Sequence, residues 1–278
     1  MNSTTVIKII YLKLLYLLCT SVYAQNNIDV NTIKNKAMIV DSMALVIGHP
    51  IKKERVLFHY NFVDAFLAGK MYQSNYTYQD LLDHGNFGLA AANKIDGEVT
   101  ILNGRIYQSK ADGTTVKAGL KDKTTLAFVA NFTADSSWTI NEILSKEGLE
   151  ESLKKHFRST NHIYAIKVNG AFNALKNRTY PIVSSKPYPE FSEVVKTQKV
   201  FDLQSIKGSL VGFYIPSFLK GVNIPGFHFH FVSNNEKYGG HVLELELANA
   251  KVEISELSSY EVNFPENPEF QFIDMNKK

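Results

Sequence analysis

Short apolar segments separated by two-residue turn signals constrain the fold of this chain more than any other feature. Residues 88–94, 98–102 and 105–108 are apolar or alternate between apolar and polar, and they are separated by Asp96-Gly97 and Asn103-Gly104. Both dipeptides tolerate positive φ and favour the tight turns of β-hairpins. The pattern predicts a meander of antiparallel strands.

The same kind of pattern continues in the second half of the chain. Strand-like segments flank Asn169-Gly170, and they resume at 208–215, 226–233 and 241–247 after the proline-rich stretch 181–191. Clusters of proline mark connections between structural units. The spacing of Ile140, Ile143, Leu144, Leu149 and Leu153 predicts one or two helices over 140–155, interrupted near Gly148, and such helical patterns are few in the chain.

We therefore predict an α/β (α+β) fold of two sheet-rich domains, with mostly antiparallel or mixed sheets and a few helices. The proline-rich stretch places the boundary, so the N-terminal sheet domain is expected over residues 25–180 and the C-terminal domain over residues 181–278.

The first 24 residues have the features of a secretory signal peptide. Lys8 precedes a short apolar run, and Val22-Tyr23-Ala24 offers small residues where a signal peptidase cleaves. We expect export, to the periplasm or the medium, after cleavage near Ala24. Lipid attachment at Cys19 is a weaker alternative, because Leu18 stands where lipoproteins carry a small residue. Cys19 is the only cysteine, so the mature chain has none.

Charge and hydropathy argue against nucleic-acid binding and against a transmembrane segment in the mature chain. Two lysines and no acid precede residue 25, which leaves 28 basic and 27 acidic residues in the mature chain. Such a balance argues against nucleic-acid binding. After residue 24 no run reaches the roughly 18 consecutive apolar residues of a transmembrane helix, so none is expected in the mature chain.

A group of histidines is the sharpest chemical signal. His228 and His230 are two residues apart in an aromatic run, so on a strand both point to the same face. The turn-forming residues 234–240 would return the chain so that His241 joins them. Three imidazoles with one open position suit catalytic zinc, although iron and manganese accept similar sets. The C-terminal strands are thus predicted to hold a metal.

Two other readings fit the histidines. A cupin-like metal oxygenase or isomerase also carries His-x-His on a strand, but its last histidine normally follows much later than His241 does here. A non-catalytic exported metal-binding module is the other alternative. We expect the remaining histidines, including His59, to be loop residues.

The histidine segments carry a family likeness. Gly226-Phe-His-Phe-His-Phe followed by Gly239-Gly-His-Val resembles the C-terminal signature of the alpha-acetolactate decarboxylases. Asn86-Phe-Gly-Leu and Asn93-Lys-Ile-Asp-Gly-Glu98 resemble an earlier part of that family, and Asn177-Arg178-Thr179 resembles a later one. The likeness is collinear and extends over roughly residues 75–270.

The resemblance implies a metal-dependent decarboxylation of 2-acetolactate to acetoin and carbon dioxide by a homodimeric enzyme. It implies zinc (Zn²⁺) on His228, His230 and His241, and it places a carboxylate at Glu98 and an arginine at Arg178. Zinc would chelate the substrate's hydroxyl and ketone oxygens. We expect Arg178 to clamp the substrate carboxylate and Glu98 to move a proton.

The family often has a C-terminal segment that supplies a second active-site glutamate. Here Glu266 and Glu269 follow Phe264-Pro265, and neither matches that segment. We expect residues 267–278 to pack against the mouth of the site through Phe270, Phe272 and Ile273, with both glutamates dispensable.

Overall fold

Two β-sheets make up most of the part of the chain that the computed structural model describes, which is residues 55–273. The signal peptide over 1–24, its cleavage near Ala24 and the lipoprotein alternative at Cys19 lie outside the described residues, as do positions 274–278 of the C-terminal segment. Within residues 55–273, no helix is both long enough and apolar enough to cross a bilayer.

The first sheet contains seven strands. They are β1 (Val56–Tyr60), β2 (Phe87–Ala92), β3 (Glu98–Leu102), β4 (Arg105–Ser109), β5 (Thr115–Lys117), β6 (Thr124–Ala130) and β13 (Ser259–Asn263). In space they run in the order β13-β1-β6-β2-β3-β4-β5, and all neighbours are antiparallel except the parallel pair β1 and β13. The predicted antiparallel meander over β2, β3 and β4 is confirmed.

Of the two predicted two-residue turns, only Asn103-Gly104 is confirmed, because β2 ends at Ala92 and a 3₁₀ turn over Asn93–Ile95 lengthens the connection that contains Asp96-Gly97. Asn103 and Gly104 connect β3 to β4 with φ angles of 52° and 73°, as a two-residue hairpin of this type requires. Gly97 precedes β3 with a φ of 94°, and a Cβ atom there would lie 2.2 Å from the Ser109 carbonyl oxygen. Glycine is therefore needed at 97 on both conformational and steric grounds.

The second sheet has six strands. They are β7 (Ser136–Ile140), β8 (Leu144–Ser145), β9 (Ile163–Thr179), β10 (Lys199–Ile215), β11 (Gly226–Ser233) and β12 (Gly239–Leu257). Strand β11 pairs with β10 and with the beginning of β12, while β9 pairs with both β10 and β12. Strands β9 to β12 thus form a closed ring around an apolar interior that includes Phe172, Phe229 and Phe231.

In the described part of the chain, residues 55–273, the α-helices are few and short. They are α1 (Val63–Leu67), α2 (Tyr78–Leu82), α3 (Lys146–Lys155) and α4 (Phe191–Lys196). The prediction over 140–155 is right only for its second part, since Ile140 ends β7 and a single helix, α3, runs through Gly148 without the expected interruption. Ser145 caps α3 by accepting a hydrogen bond from the Gly148 amide. Leu149 and Leu153, one turn apart, are both buried in the core of the second sheet.

These elements confirm the α/β (α+β) class with two sheets and few helices. The expected boundary between residues 25–180 and 181–278 does not coincide with the division between the sheets. Strands β7, β8 and β9 precede residue 181 yet belong to the second sheet, and β13 follows it yet belongs to the first. The reason is that strand pairing joins segments distant in sequence, which a proline-rich connection does not reveal.

A shared apolar layer joins the two sheets. Leu89 and Phe128 of the first sheet belong to one buried cluster with Val211 and Phe213 of the second. The rings of Phe87 and Phe213 meet edge to face with centroids 5.9 Å apart. Each buried phenylalanine contributes roughly 1.5–3 kcal/mol, so this layer holds the faces of the two sheets together.

His59 is a correction to the sequence interpretation. It lies in β1, fully buried, and not in a loop. Its Nδ1 is 2.5 Å from the Tyr260 hydroxyl and its ring packs on Phe128, while its Nε2 has no hydrogen-bond partner among the described residues. Burial lowers the pKa of His59 to about 3, so the ring is neutral in the folded chain at neutral pH.

Replacing His59 by Phe is expected to flatten the loss of stability in acid. The unfolded imidazole takes up a proton below about pH 6.5, whereas in the folded chain the pKa is about 3. Between these values the unfolded state binds more protons, so this group lowers stability as pH falls, by up to about 1.4 kcal/mol per pH unit.

Urea unfolding of the metal-free protein from about pH 7 to pH 4 measures this effect. The solvent-exposed His156→Phe variant is the control and should follow the parent. If the parent and His59→Phe show the same pH dependence, His59 is not the group responsible.

Candidate active site

The alternation of strand β11 places two imidazoles on the face opposite its phenylalanines. Phe229 and Phe231 are buried inside the closed ring of the second sheet. His228 and His230 point the other way, to the cavity between the sheets. The predicted common face of His228 and His230 is what the structure shows.

Strand β12 brings the third imidazole beside them. His230 pairs directly with His241, and His241 pairs on its other side with Arg178 of β9. Gly240 makes this close approach possible: its φ is 130°, and a Cβ atom there would lie 2.7 Å from the Arg178 carbonyl oxygen. The start of β12 is thus held between two strands, with His241 fixed between His230 and Arg178.

The three histidines form a compact group of nitrogen ligands. His228, His230 and His241 each offer one ring nitrogen, and these atoms all lie within 4.8 Å of one another. His228 Nε2 and His241 Nδ1 are 3.0 Å apart. Among residues 55–273 this is the one group of three or more histidine, cysteine, aspartate and glutamate residues with such geometry.

The hydrogen bonding of His230 leaves a lone pair directed at this group. Its Nδ1 is 2.8 Å from the Val99 carbonyl oxygen, which only accepts, so Nδ1 carries the proton. Its Nε2 is buried and has no hydrogen-bond partner in the described part of the chain. A buried acceptor without a donor is costly, and a metal ion would satisfy it.

Burial also keeps the imidazoles in the form that binds metals. Desolvation lowers the pKa of His228 and of His230 to about 3, and it lowers the pKa of His241 well below its usual value. All three are therefore neutral near pH 7, as metal ligation requires. The residues present fit a divalent ion held by three nitrogens.

Glu98 and Arg178 meet beside the histidines. Glu98 begins β3 in the first sheet, and Arg178 lies near the end of β9 in the second. Arg178 Nη1 donates to Glu98 Oε1 at 2.6 Å, and Glu98 Oε2 lies 3.4 Å from His230 Nε2. The structure thus brings together all five predicted site residues.

Two opposing effects act on the Glu98 carboxyl. Burial raises the pKa of the Glu98 carboxyl, and the nearby positive charge of Arg178 opposes the rise. A buried carboxyl with a raised pKa is a common property of acids that transfer protons near neutral pH.

All five residues line one cavity of about 140 Å³. Engineered apolar cavities of about 150 Å³ hold a molecule the size of benzene, so this cavity suits a small organic molecule. The polar residues occupy part of the wall. Most of the remaining wall is apolar and is formed by Val63, Phe66, Leu67, Leu89, Ala90, Ala91, Ile95, Leu126, Phe128, Tyr180, Phe191 and Ile224.

The apolar wall contains residues that the sequence interpretation missed. Tyr180 follows Arg178 by two positions, a spacing that could have drawn attention to it. Phe66 of α1, Phe191 of α4 and Ile224 come from separate connections. No local pattern links those three, because only the packing of the two sheets brings them together.

The C-terminal segment contacts the flanks of helix α1. Phe270 packs edge to face on Phe62, and the Ile273 side chain lies against Gly69. Helix α1 lines the cavity, so the segment contacts an element of the site as far as residue 273, and its packing against the mouth of the site remains a prediction. Phe272 is an exception to the expected burial, since it is 84% exposed.

Neither glutamate of this segment lines the cavity. Glu269 is exposed and pairs with the Nζ of Lys186 at 3.1 Å, and Glu266 is exposed as well. That both are dispensable for activity remains a prediction.

Comparison with known proteins gives a consistent result. A family model described as alpha-acetolactate decarboxylase matches residues 57–277. The alpha-acetolactate decarboxylase of Brevibacillus brevis is 33% identical over 85% of this chain and 82% of its own length, and that of Methanosarcina mazei is 35% identical over 80% and 76%.

Solved structures agree with the sequence relatives. The fold is similar to the crystal structure of alpha-acetolactate decarboxylase from Bacillus subtilis strain 168, with a TM-score of 0.77 at 27% identity over 80% of this chain and 94% of that one. A Staphylococcus aureus protein of unknown function, described as similar to alpha-acetolactate decarboxylase, gives a TM-score of 0.75 at 30% identity over 80% and 95%.

Replacing any one of His228, His230 and His241 with Ala is expected to weaken metal binding by at least about 100-fold, since even indirect partners of metal ligands contribute 10–100-fold. Elemental analysis after dialysis measures this, with His162→Ala as the control, because His162 pairs with Glu256 away from the three histidines. Parent-like metal content in all three variants would contradict the assignment.

Proposed function

Because the chain belongs to the alpha-acetolactate decarboxylase family, and is therefore a carboxy-lyase, we propose that it converts 2-acetolactate to acetoin and carbon dioxide with a zinc ion in the cavity described above. One observation carries the proposal: the three clustered histidines and the buried Glu98–Arg178 pair line the same small cavity.

The reaction sets two tasks for the protein. The bond between the carboxylate and the carbon that bears the hydroxyl breaks, and its electron pair stays with the organic fragment when carbon dioxide leaves. One proton must then reach carbon to give acetoin. The protein must orient the carboxylate for bond cleavage and supply that proton, while excluding bulk water.

Arg178 is suited to the first task. Its Nη1 is bonded to Glu98, and its other N–H groups have no acceptor among the described residues. A guanidinium offers two parallel donors to a carboxylate and fixes its plane. We assign Arg178 to binding and orienting the carboxylate that departs.

Glu98 is suited to the second task. Its carboxyl is buried at the polar part of the cavity, and burial raises its pKa. A carboxyl with a raised pKa at this place in the cavity is suited to moving a proton to or from a small substrate. We assign Glu98 to proton transfer.

His228, His230 and His241 are the residues that would hold zinc. When bound, zinc supplies a Lewis acid that stabilises negative charge on adjacent hydroxyl and ketone oxygens. The neutral state of the imidazoles and the fixed tautomer of His230 prepare the protein for that ion.

The purified protein is expected to form acetoin and carbon dioxide from racemic 2-acetolactate. Glu98→Gln keeps an oxygen that accepts from Arg178 but lacks the transferable proton, so its rate should fall on the order of 10²–10⁴-fold with metal content unchanged. Glu269→Gln makes the same chemical change outside the cavity and should match the parent.

Each outcome has a separate meaning. Absence of acetoin from a metal-loaded parent would overturn the proposed function, and it would favour the cupin-like enzyme or the non-catalytic module. Loss of metal from Glu98→Gln would make Glu98 a ligand. Unchanged turnover of Glu98→Gln would exclude both roles.

We further propose export and a homodimer, the first from the signal-like residues 1–24 and the second from the family resemblance. The mature protein should begin at Gln25 and sediment with twice the mass of one chain. N-terminal sequencing and analytical ultracentrifugation measure these two properties. A retained N-terminal segment, or a single-chain mass, would refute the respective proposal.

A further inference from the structure

The guanidinium of Arg178 contacts two side chains, the carboxyl of Glu98 and the ring of Tyr180. Its edge donates from Nη1 to Glu98 Oε1 at 2.6 Å. Its guanidinium carbon lies over the ring of Tyr180, 4.5 Å from the ring centroid. A cation over an aromatic face at this distance is attracted by the ring quadrupole.

One hydrogen bond does not fix a guanidinium plane. With Glu98 as the only partner, the group can still turn about the bond to Nη1, and arginine has many rotamers to lose on ordering. A carboxylate is bound in two-point fashion only when the remaining donors have one orientation. The Tyr180 ring supplies a second restraint, because a turn about the hydrogen bond to Glu98 would move the guanidinium carbon away from its place over the aromatic face.

Tyr180 is itself held rigidly. Its side chain is buried, and its ring meets that of Phe191 with centroids 6.0 Å apart. Phe191 in turn packs on Phe66, with centroids 5.6 Å apart. The part of Tyr180 that contacts Arg178 is the aromatic ring and not the hydroxyl group.

We propose that Tyr180 is the positioning residue for Arg178, and that its ring holds the guanidinium so that the free N–H edge faces the carboxylate of the substrate. The proposal rests on the proposed function in one respect, namely that Arg178 binds a carboxylate. Tyr180 does not need to touch the reacting atoms in this role.

The proposal predicts different effects on a ligand that has a carboxylate and on one that lacks it. 2-Hydroxy-2-methylpropanoate carries a carboxylate and a tertiary hydroxyl but no ketone, so it binds without being decarboxylated. Acetoin lacks the carboxylate. A variant in which the guanidinium has lost the Tyr180 ring should bind 2-hydroxy-2-methylpropanoate more weakly and bind acetoin with unchanged affinity.

Calorimetric titration of the zinc-loaded protein with both ligands tests this directly. Tyr180→Leu and Tyr180→Met remove the aromatic face. Each should lower the affinity for 2-hydroxy-2-methylpropanoate on the order of 10-fold, with acetoin affinity and metal content unchanged. Tyr180→Phe keeps the face and should bind both ligands as the parent does. Tyr188→Leu is the matched control, because Tyr188 packs against the same apolar cluster but does not line the cavity.

Turnover gives a second readout. The KM for 2-acetolactate should rise on the order of 10-fold in Tyr180→Leu and return to the parent value in Tyr180→Phe, whereas Arg178→Lys should not be rescued by any residue at 180.

Several results would overturn the proposal. Parent-like binding of 2-hydroxy-2-methylpropanoate by Tyr180→Leu and Tyr180→Met would do so. Equal loss of both ligands, or loss of metal, would show a general structural role instead. Weak binding by Tyr180→Phe would assign the effect to the hydroxyl. A parent protein that binds the carboxylate but forms no acetoin would refute the proposed function and leave the role of Tyr180 intact.

Discussion

A buried ion pair that connects the two sheets is the interaction on which the candidate site depends. Glu98 belongs to the first sheet and Arg178 to the second, and the side chains are 9% and 16% exposed. Either charge alone in that position would cost several kcal/mol, so each requires the other. One residue further along β3, the Val99 carbonyl accepts from His230 and makes a second connection between the sheets. The geometry of the histidines is therefore tied to the packing of one sheet on the other.

Local patterns in the sequence predicted the parts of this arrangement that are set by one strand or one turn. The alternation around His228 and His230 follows from strand geometry, and Asn103-Gly104 forms the expected hairpin. The positions of Glu98 and Arg178 came from family resemblance, because an acid after a turn and an arginine on a strand have no distinctive pattern. Long-range pairing was not predictable in the same way: His59 is buried only because β1 lies between β6 and β13, and β13 is about 200 residues away in sequence.

The polar and the apolar residues of the cavity come largely from different structural elements, namely paired strands on one hand and short helices and connections on the other. Its polar residues lie on or beside paired strands, where hydrogen bonds on both sides limit movement, as His241 between His230 and Arg178 shows. Much of its apolar wall comes from short helices and connections, for example Phe191 and Ile224. Such a division allows the residues that shape the substrate's apolar surroundings to change while the reactive groups keep their positions.

The parallel pairing of β1 with β13 has a consequence for how the chain reaches its folded state. Val56 pairs with Ser259, so all strands of the closed ring, β9 to β12, lie between β1 and β13 in sequence. During synthesis the ring can assemble while β1 still has an unpaired edge, and an open edge strand readily pairs with other chains. Contacts between such distant segments also form slowly. Substitutions that delay the docking of β13 should therefore reduce the yield of soluble protein through aggregation, even where the molecules that do fold have an intact site.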